Sequence, residues 1–191
     1  MQTCTINTGT EAIETITVSG SGALNATLMA VAAVDNEDGS VRLGISSDIF
    51  DAGSMVYIEG TDNYDGIRKI RSVSAGYINL EASFTAETTA TADTVKVAIA
   101  PSHSFEFLEI EAHLSSAPTT SEDFTVTKDS NLGTNFDVNL LTKDFSAGSI
   151  VSYIWTPTSR LVYSDAKDIL RISWDNTDAR DYGLTLKYRK I

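Results

Sequence analysis

Two stretches of this chain alternate so regularly that they leave little choice of fold. Between Phe105 and Leu114, the apolar residues Leu108, Ile110, Ala112 and Leu114 recur at every second position, with Glu109, Glu111 and His113 between them. Between Tyr182 and Arg189 the apolar set is Tyr182, Leu184, Leu186 and Tyr188, and the polar set is Thr185, Lys187 and Arg189. A β-strand points successive side chains to opposite faces, so this period belongs to half-buried antiparallel strands. One strand has an acidic outer face and the other a basic one, which predicts that they lie side by side.

The stretch between them keeps the same period. Strands are expected at Asp123–Lys128, Asn135–Leu141, Ser149–Trp155, Arg160–Tyr163 and Asp168–Trp174. Their inward sets read Phe136, Val138 and Leu140; then Val151, Tyr153 and Trp155; then Leu170, Ile172 and Trp174. Seven or eight strands in under ninety residues predict an antiparallel β-sandwich, jelly-roll-like, over residues 102–191. Pro101–Ser104 reads as the hinge before it.

Upstream, short strands follow quickly at Val41–Ile45, Met55–Glu59, Ile67–Val73, Tyr77–Leu80 and Thr94–Ala100. Asp65-Gly66 suits a tight turn that needs positive φ. This spacing predicts a small β-barrel over residues 41–101. Residues 1–40 read as an N-terminal arm. Its apolar run Leu24–Val34 fits a helix carrying Leu24, Leu28 and Val31 on one face or an extended strand, and the β flanks favour the strand. The fold class expected is all-β.

Charge limits the partners. Fourteen Lys and Arg against 26 Asp and Glu give a net charge of −12, so binding to nucleic acid is disfavoured. Cys4 is the only cysteine, which excludes an intrachain disulfide and a cysteine metal cluster. The N-terminus lacks a basic segment and an apolar core, so no secretory signal is expected. No apolar run approaches the roughly 18 residues of a membrane span.

Each candidate site has a plainer reading beside it. Asp175–Asp178 offers oxygens to Ca²⁺, or forms a turn whose side chains bond the local backbone. Neither Asp35–Gly39 nor Asp62–Gly66 has the spacing of an EF-hand loop. His113 shares a face with Glu109 and Glu111, yet with His103 as the only other histidine the zinc case is poor. Trp155 and Trp174 form either a sugar-stacking platform or part of the core, and their alternation with Val151, Tyr153, Leu170 and Ile172 favours the core. Arg68, Lys69 and Arg71 make one basic patch and Lys187, Arg189 and Lys190 another; each is a solvated face or a contact for an acidic neighbour. No nucleophile elbow is present and no carboxylate pair stands out, so no enzyme and no cofactor are expected.

Val56–Val73, with its strand ending in Gly60 and the run Asn63-Tyr64-Asp65-Gly66, resembles a small β-barrel repeat of tailed-bacteriophage structural proteins. Glu109–Val126 together with Ile172–Leu186 resembles a phage virion β-sandwich, similar to capsid decoration (cement) proteins and to tail accessory proteins. The resemblance spans roughly residues 40–191 and carries no catalytic residues. It implies a virion structural protein made in the host cytoplasm and placed on the capsid exterior, with the major capsid protein as partner. Phage decoration proteins commonly sit as trimers, and a homotrimer is expected here, with Leu24, Leu28, Val31, Arg68, Lys69 and Arg71 as candidate contacts. A tail-associated carbohydrate- or receptor-binding module using Trp155 and Trp174 is the alternative, and a polysaccharide depolymerase rests only on the unmarked acids.

Overall fold

The computed structural model describes residues 3–6, 13–46, 50–99, 104–130, 134–163 and 168–191. Among them the chain is all-β, with no α-helix and one 3-10 turn at Thr134–Phe136. In order, the N-terminal strands are β1 (Thr3–Ile6) and β2 (Ile13–Gly20). There follow β3 (Asn25–Thr27), β4 (Val34–Asp35), β5 (Val41–Gly44), β6 (Met55–Glu59), β7 (Gly66–Ser74), β8 (Tyr77–Leu80) and β9 (Thr94–Ile99). The last group is β10 (Phe105–Leu114), β11 (Asp123–Asp129), β12 (Val138–Asp144), β13 (Ser152–Trp155), β14 (Leu161–Tyr163), β15 (Ile169–Ser173) and β16 (Tyr182–Lys190). Two compact units result: Met1–Ala23 with Ala100–Ile191, and Leu24–Ile99.

The first unit is an antiparallel β-sandwich. One sheet runs β1-β2-β16-β10-β13, with β14 on the opening stretch of β10, and in the other β11 lies between β12 and β15. The expected neighbours β10 and β16 pair along their length, from Phe105 opposite Lys190 to Leu114 opposite Tyr182. Ile110, Ala112, Leu184 and Leu186 of one sheet and Phe124, Val126, Leu170 and Ile172 of the other are buried. An aromatic chain joins the layers: Phe124 to Phe145 at 5.3 Å between centroids, Phe145 to Trp174 at 5.6 Å, and Trp174 to Tyr182 at 5.9 Å.

Three details differ from expectation, each for a backbone reason. The described residues of the expected arm, 1–40, are divided between the two units. Their first part supplies β2, which pairs with β16 from Ile13 opposite Arg189 to Gly20 opposite Tyr182 and so satisfies backbone groups that β16 would otherwise leave at an edge. Leu108 leaves the inward row because β10 carries a bulge between Phe107 and Glu109. Phe105 and Phe107 face the core before it and Ile110 and Ala112 after it, since one extra residue reverses the parity. Phe136, in the 3-10 turn, and Val138, at the start of β12, are exposed, and Leu141 is buried. The 3-10 turn and a bulge in the β11–β12 ladder at Val126/Thr127 set that parity.

The second unit takes in the rest of the expected arm. Its strand order is β9-β6-β7-β8-β5-β4, with β3 on the other side of β9. Leu24, Ala26 and Leu28 are buried at period two, the strand reading of that run. The residue after β3, Leu28, bridges Ile45, and Met29 N–H donates to Gly44 O at 2.9 Å. This is an isolated bridge between the residues that follow β3 and β5, not a continuous ladder. Gly66 sits at φ +95° in the expected turn, a conformation that costs other residues more. Tyr64 beside it is buried, and its hydroxyl accepts from Thr85 N at 2.9 Å.

Burial gives a first prediction. The Tyr182 phenol lies over Gly20, where an added Cβ would meet its oxygen at 2.9 Å, and burial pushes its pKa up to about 12. An unperturbed tyrosine ionises near pH 10. The folded value is raised, so the stabilisation is complete below about pH 10 and is lost as pH rises towards about 12. In an ultraviolet titration, Tyr182→Phe is expected to remove a phenol that ionises near pH 12. A variant curve that lacks an earlier phenol instead contradicts this packing.

Candidate functional site

The outer face of β10 and β16 is a charge ladder. Lys187 Nζ lies 2.6 Å from Glu109 Oε1 and 3.9 Å from Glu111 Oε2. The Glu109 hydrogen bond, with the charges of both glutamates, raises the lysine's pKa. His113 Nε2 is 2.8 Å from Glu111 Oε1. Glu106 takes Arg189 Nη2 at 2.7 Å on one oxygen and Arg160 Nε at 3.2 Å on the other. The Arg189 hydrogen bond, then that of Arg160, lowers its pKa. The partly exposed Lys187 and His113 pairs add little stability; opposite charges across the two strands do support their pairing. The ladder thus absorbs Lys187 and Arg189 of the second expected basic patch.

Asp175–Asp178 takes the turn reading. Asp178 accepts from the backbone amides and hydroxyls of Thr119 and Thr120, and the two amides first of all hold its carboxyl far below the usual range. In return, Glu122 accepts from the Thr177 amide and hydroxyl. Asn176, at φ +43°, donates to Gly22 O and Arg180 O and accepts from Arg180 N. Asp144 is held at about 2, chiefly by the hydroxyls of Ser121 and Ser146. These oxygens are already engaged in strapping loops together. Among the described residues, no group of three His, Cys, Asp or Glu side chains is placed to hold a metal ion. His103 lies outside the described residues.

The two tryptophans do not form a common platform. Trp174 is 1% exposed, in the aromatic chain of the core. Trp155 is half-buried and packs on Phe107 at 5.9 Å between centroids. Leu24 and Leu28 are fully buried, so they cannot serve as contacts for another chain. Val31 is partly exposed, with its carbonyl taken by Thr89.

The basic patch on β7 separates into used and unused charge. Lys69 lies 2.7 Å from Glu81, and Arg71 lies 3.1 Å from Asp38. Asp38 is lowered mainly by the Ser40 hydroxyl, with Arg71 contributing. Among the described residues, Arg68 Nη1 donates to Ile67 O alone, at 2.9 Å, and its Nε is shielded from solvent without a hydrogen-bond partner. Beside it is an open cleft of about 390 Å³ lined by Asn63, Tyr64, Ile67, Arg68, Lys69, Glu81, Ala82 and Ser83.

A different surface was not singled out from the sequence. Phe136, Val138, Val151 and Ile154 are 58%, 49%, 46% and 57% exposed. They lie on or beside β12 and β13, each the outermost strand at one end of its sheet. Strict alternation places Phe136, Val138 and Val151 inward; Ile154, out of phase with Tyr153 and Trp155, was the one readable sign. No family model, no characterised protein and no solved structure matches the chain.

Proposed function

We propose that the chain is a non-enzymatic structural protein of a tailed-bacteriophage virion, a decoration protein that binds the capsid exterior and stabilises it. The observation that supports this most is the exposed apolar set Phe136, Val138, Val151 and Ile154 on outermost strands. An outermost strand offers unpaired backbone groups, and apolar side chains beside them favour contact with another protein. The major capsid protein is the proposed partner, and copies of the chain itself, as a homotrimer, are the second. Contacts through these strands replace those expected from Leu24 and Leu28. A net charge of −12 suits the outside of a shell better than the side facing packaged DNA. The burial of Trp174 weighs against the tail-associated alternative with a Trp155–Trp174 sugar platform, since a buried ring face cannot stack on a sugar.

The test is co-sedimentation with purified virus heads stripped of the protein, with separated tails as the comparison. Saturable pelleting with heads and none with tails is the expected result. A chain that stays in the supernatant with heads, or pellets with tails alone, overturns the assignment.

A further inference from the structure

Arg68 occupies a position that strand parity assigns to the core. On β7 it shares a row with Gly66 and with Ile70, which is fully buried, and it stands opposite Val56, also fully buried. Its stem therefore runs along apolar surface, with Nε shielded from solvent and unpartnered. Among the described residues no carboxylate lies within ion-pair distance of it. By contrast Arg71, Arg160, Arg171, Arg180 and Arg189 each hold a carboxylate, and Arg42 lies over the Tyr77 ring. In a chain with 26 acids and 14 bases, a guanidinium without an acid is the unusual case.

The surroundings define what would complete it. Arg68 lines the cleft of about 390 Å³, within the span of small-molecule sites. Asn63 and Ser83 bring an amide and a hydroxyl, and the Lys69–Glu81 pair brings a donor and an acceptor at 2.7 Å from each other. Nearby, the amides of Asp62 and Asn63 are already taken by the Glu87 carboxylate, at 2.7 and 2.9 Å. A guanidinium fork matches a carboxylate with two parallel hydrogen bonds. Glu81 in the wall and the chain's net negative charge oppose a dianion such as phosphate more than a monoanion.

We propose that this cleft binds a carboxylate-bearing polar molecule of about monosaccharide size, a uronic acid by class, with Arg68 receiving the carboxylate and Asn63, Ser83 and the Lys69–Glu81 pair meeting its hydroxyls. The site lies wholly within the second unit and is independent of the capsid-binding proposal.

The experiment is a titration of the ¹⁵N-labelled full chain followed by NMR, with glucuronate, glucose, acetate and phosphate as probes at constant ionic strength. Glucuronate is expected to saturate with Kd on the order of 1 mM, shifting amides of residues 63–69 and 81–83. Glucose, acetate and phosphate are each expected to bind at least about tenfold more weakly, one missing the charge, one the hydroxyls, and one being rejected by Glu81. Arg68→Gln is expected to weaken glucuronate at least about tenfold while keeping the wild-type unfolding midpoint. Arg68→Lys retains charge without the fork and is expected to fall between them. If Arg68→Gln does not fold, Asn63→Asp, at an exposed position, places a repelling charge at the rim and is expected to weaken glucuronate equally. Failure of glucuronate to bind, equal binding by folded Arg68→Gln or by Asn63→Asp, or phosphate or acetate binding as tightly as glucuronate, each overturns the proposal.

Discussion

Trp174→Ala is expected to destabilise the sandwich by about 3–5 kcal/mol, the cost of removing a fully buried large aromatic side chain. Trp174 is 1% exposed and contacts Phe145 and Tyr182 edge-on, so it joins side chains from both layers. Its removal leaves a void that neighbouring rings cannot fill without leaving their own contacts. Thermal unfolding should fall by on the order of 10–20 °C, and denaturant titration should show a lower midpoint with an unchanged slope. Trp155→Ala should cost less, because that ring is half-buried and packs mainly on Phe107. A loss below about 1 kcal/mol for Trp174→Ala, the range of surface changes, would contradict its place in the core.

Arg171→Ala is expected to cost about 3–5 kcal/mol for a different reason, the loss of one partner in a buried ionic cluster. Arg171 Nη2 is 3.0 Å from Asp137 Oδ2, and Nε is 3.1 Å from Asp129 Oδ2. The second contact is an ion pair without hydrogen-bond geometry. All three side chains are only 13–14% exposed, so removing the cation leaves two poorly hydrated carboxylates together. Asp137→Asn on the Arg171→Ala background should recover part of the loss, giving a coupling outside additivity. Asp137 also accepts from Ser130 N, holding the residue before β12 to the residue after β11. Equal stability of Arg171→Ala and wild type would show that the cluster is not a structural element.

What was legible in the sequence was the part governed by period two. The β16 alternation is realised from Tyr182 to Arg189, and the acidic and basic faces of β10 and β16 meet as Glu109 and Lys187. Parity failed wherever a single residue was added to a strand. Leu108 and Val138 both changed face at bulges, and a bulge depends on the partner strand as much as on its own residues. The fate of residues 1–40 was hidden for a related reason. The pairing of β2 with β16 joins segments far apart in the chain, and no local pattern encodes such a contact. Charge was legible only as clusters: Arg68, Lys69 and Arg71 look equivalent in sequence, and only the positions of Glu81 and Asp38 leave Arg68 alone with unspent charge.

The central claim is that the chain adheres to a capsid through its outermost strands. The most direct measurement compares wild type with a Val138→Glu/Ile154→Lys double variant in binding to purified heads. The new charges face Lys128 and Glu111 across their ladders, so cross-strand pairing should preserve the fold. Wild type should bind saturably, and the variant at least about tenfold more weakly, the equivalent of about 1.4 kcal/mol, with an unchanged unfolding midpoint. Equal binding by both proteins, or no binding by wild type, would contradict the account.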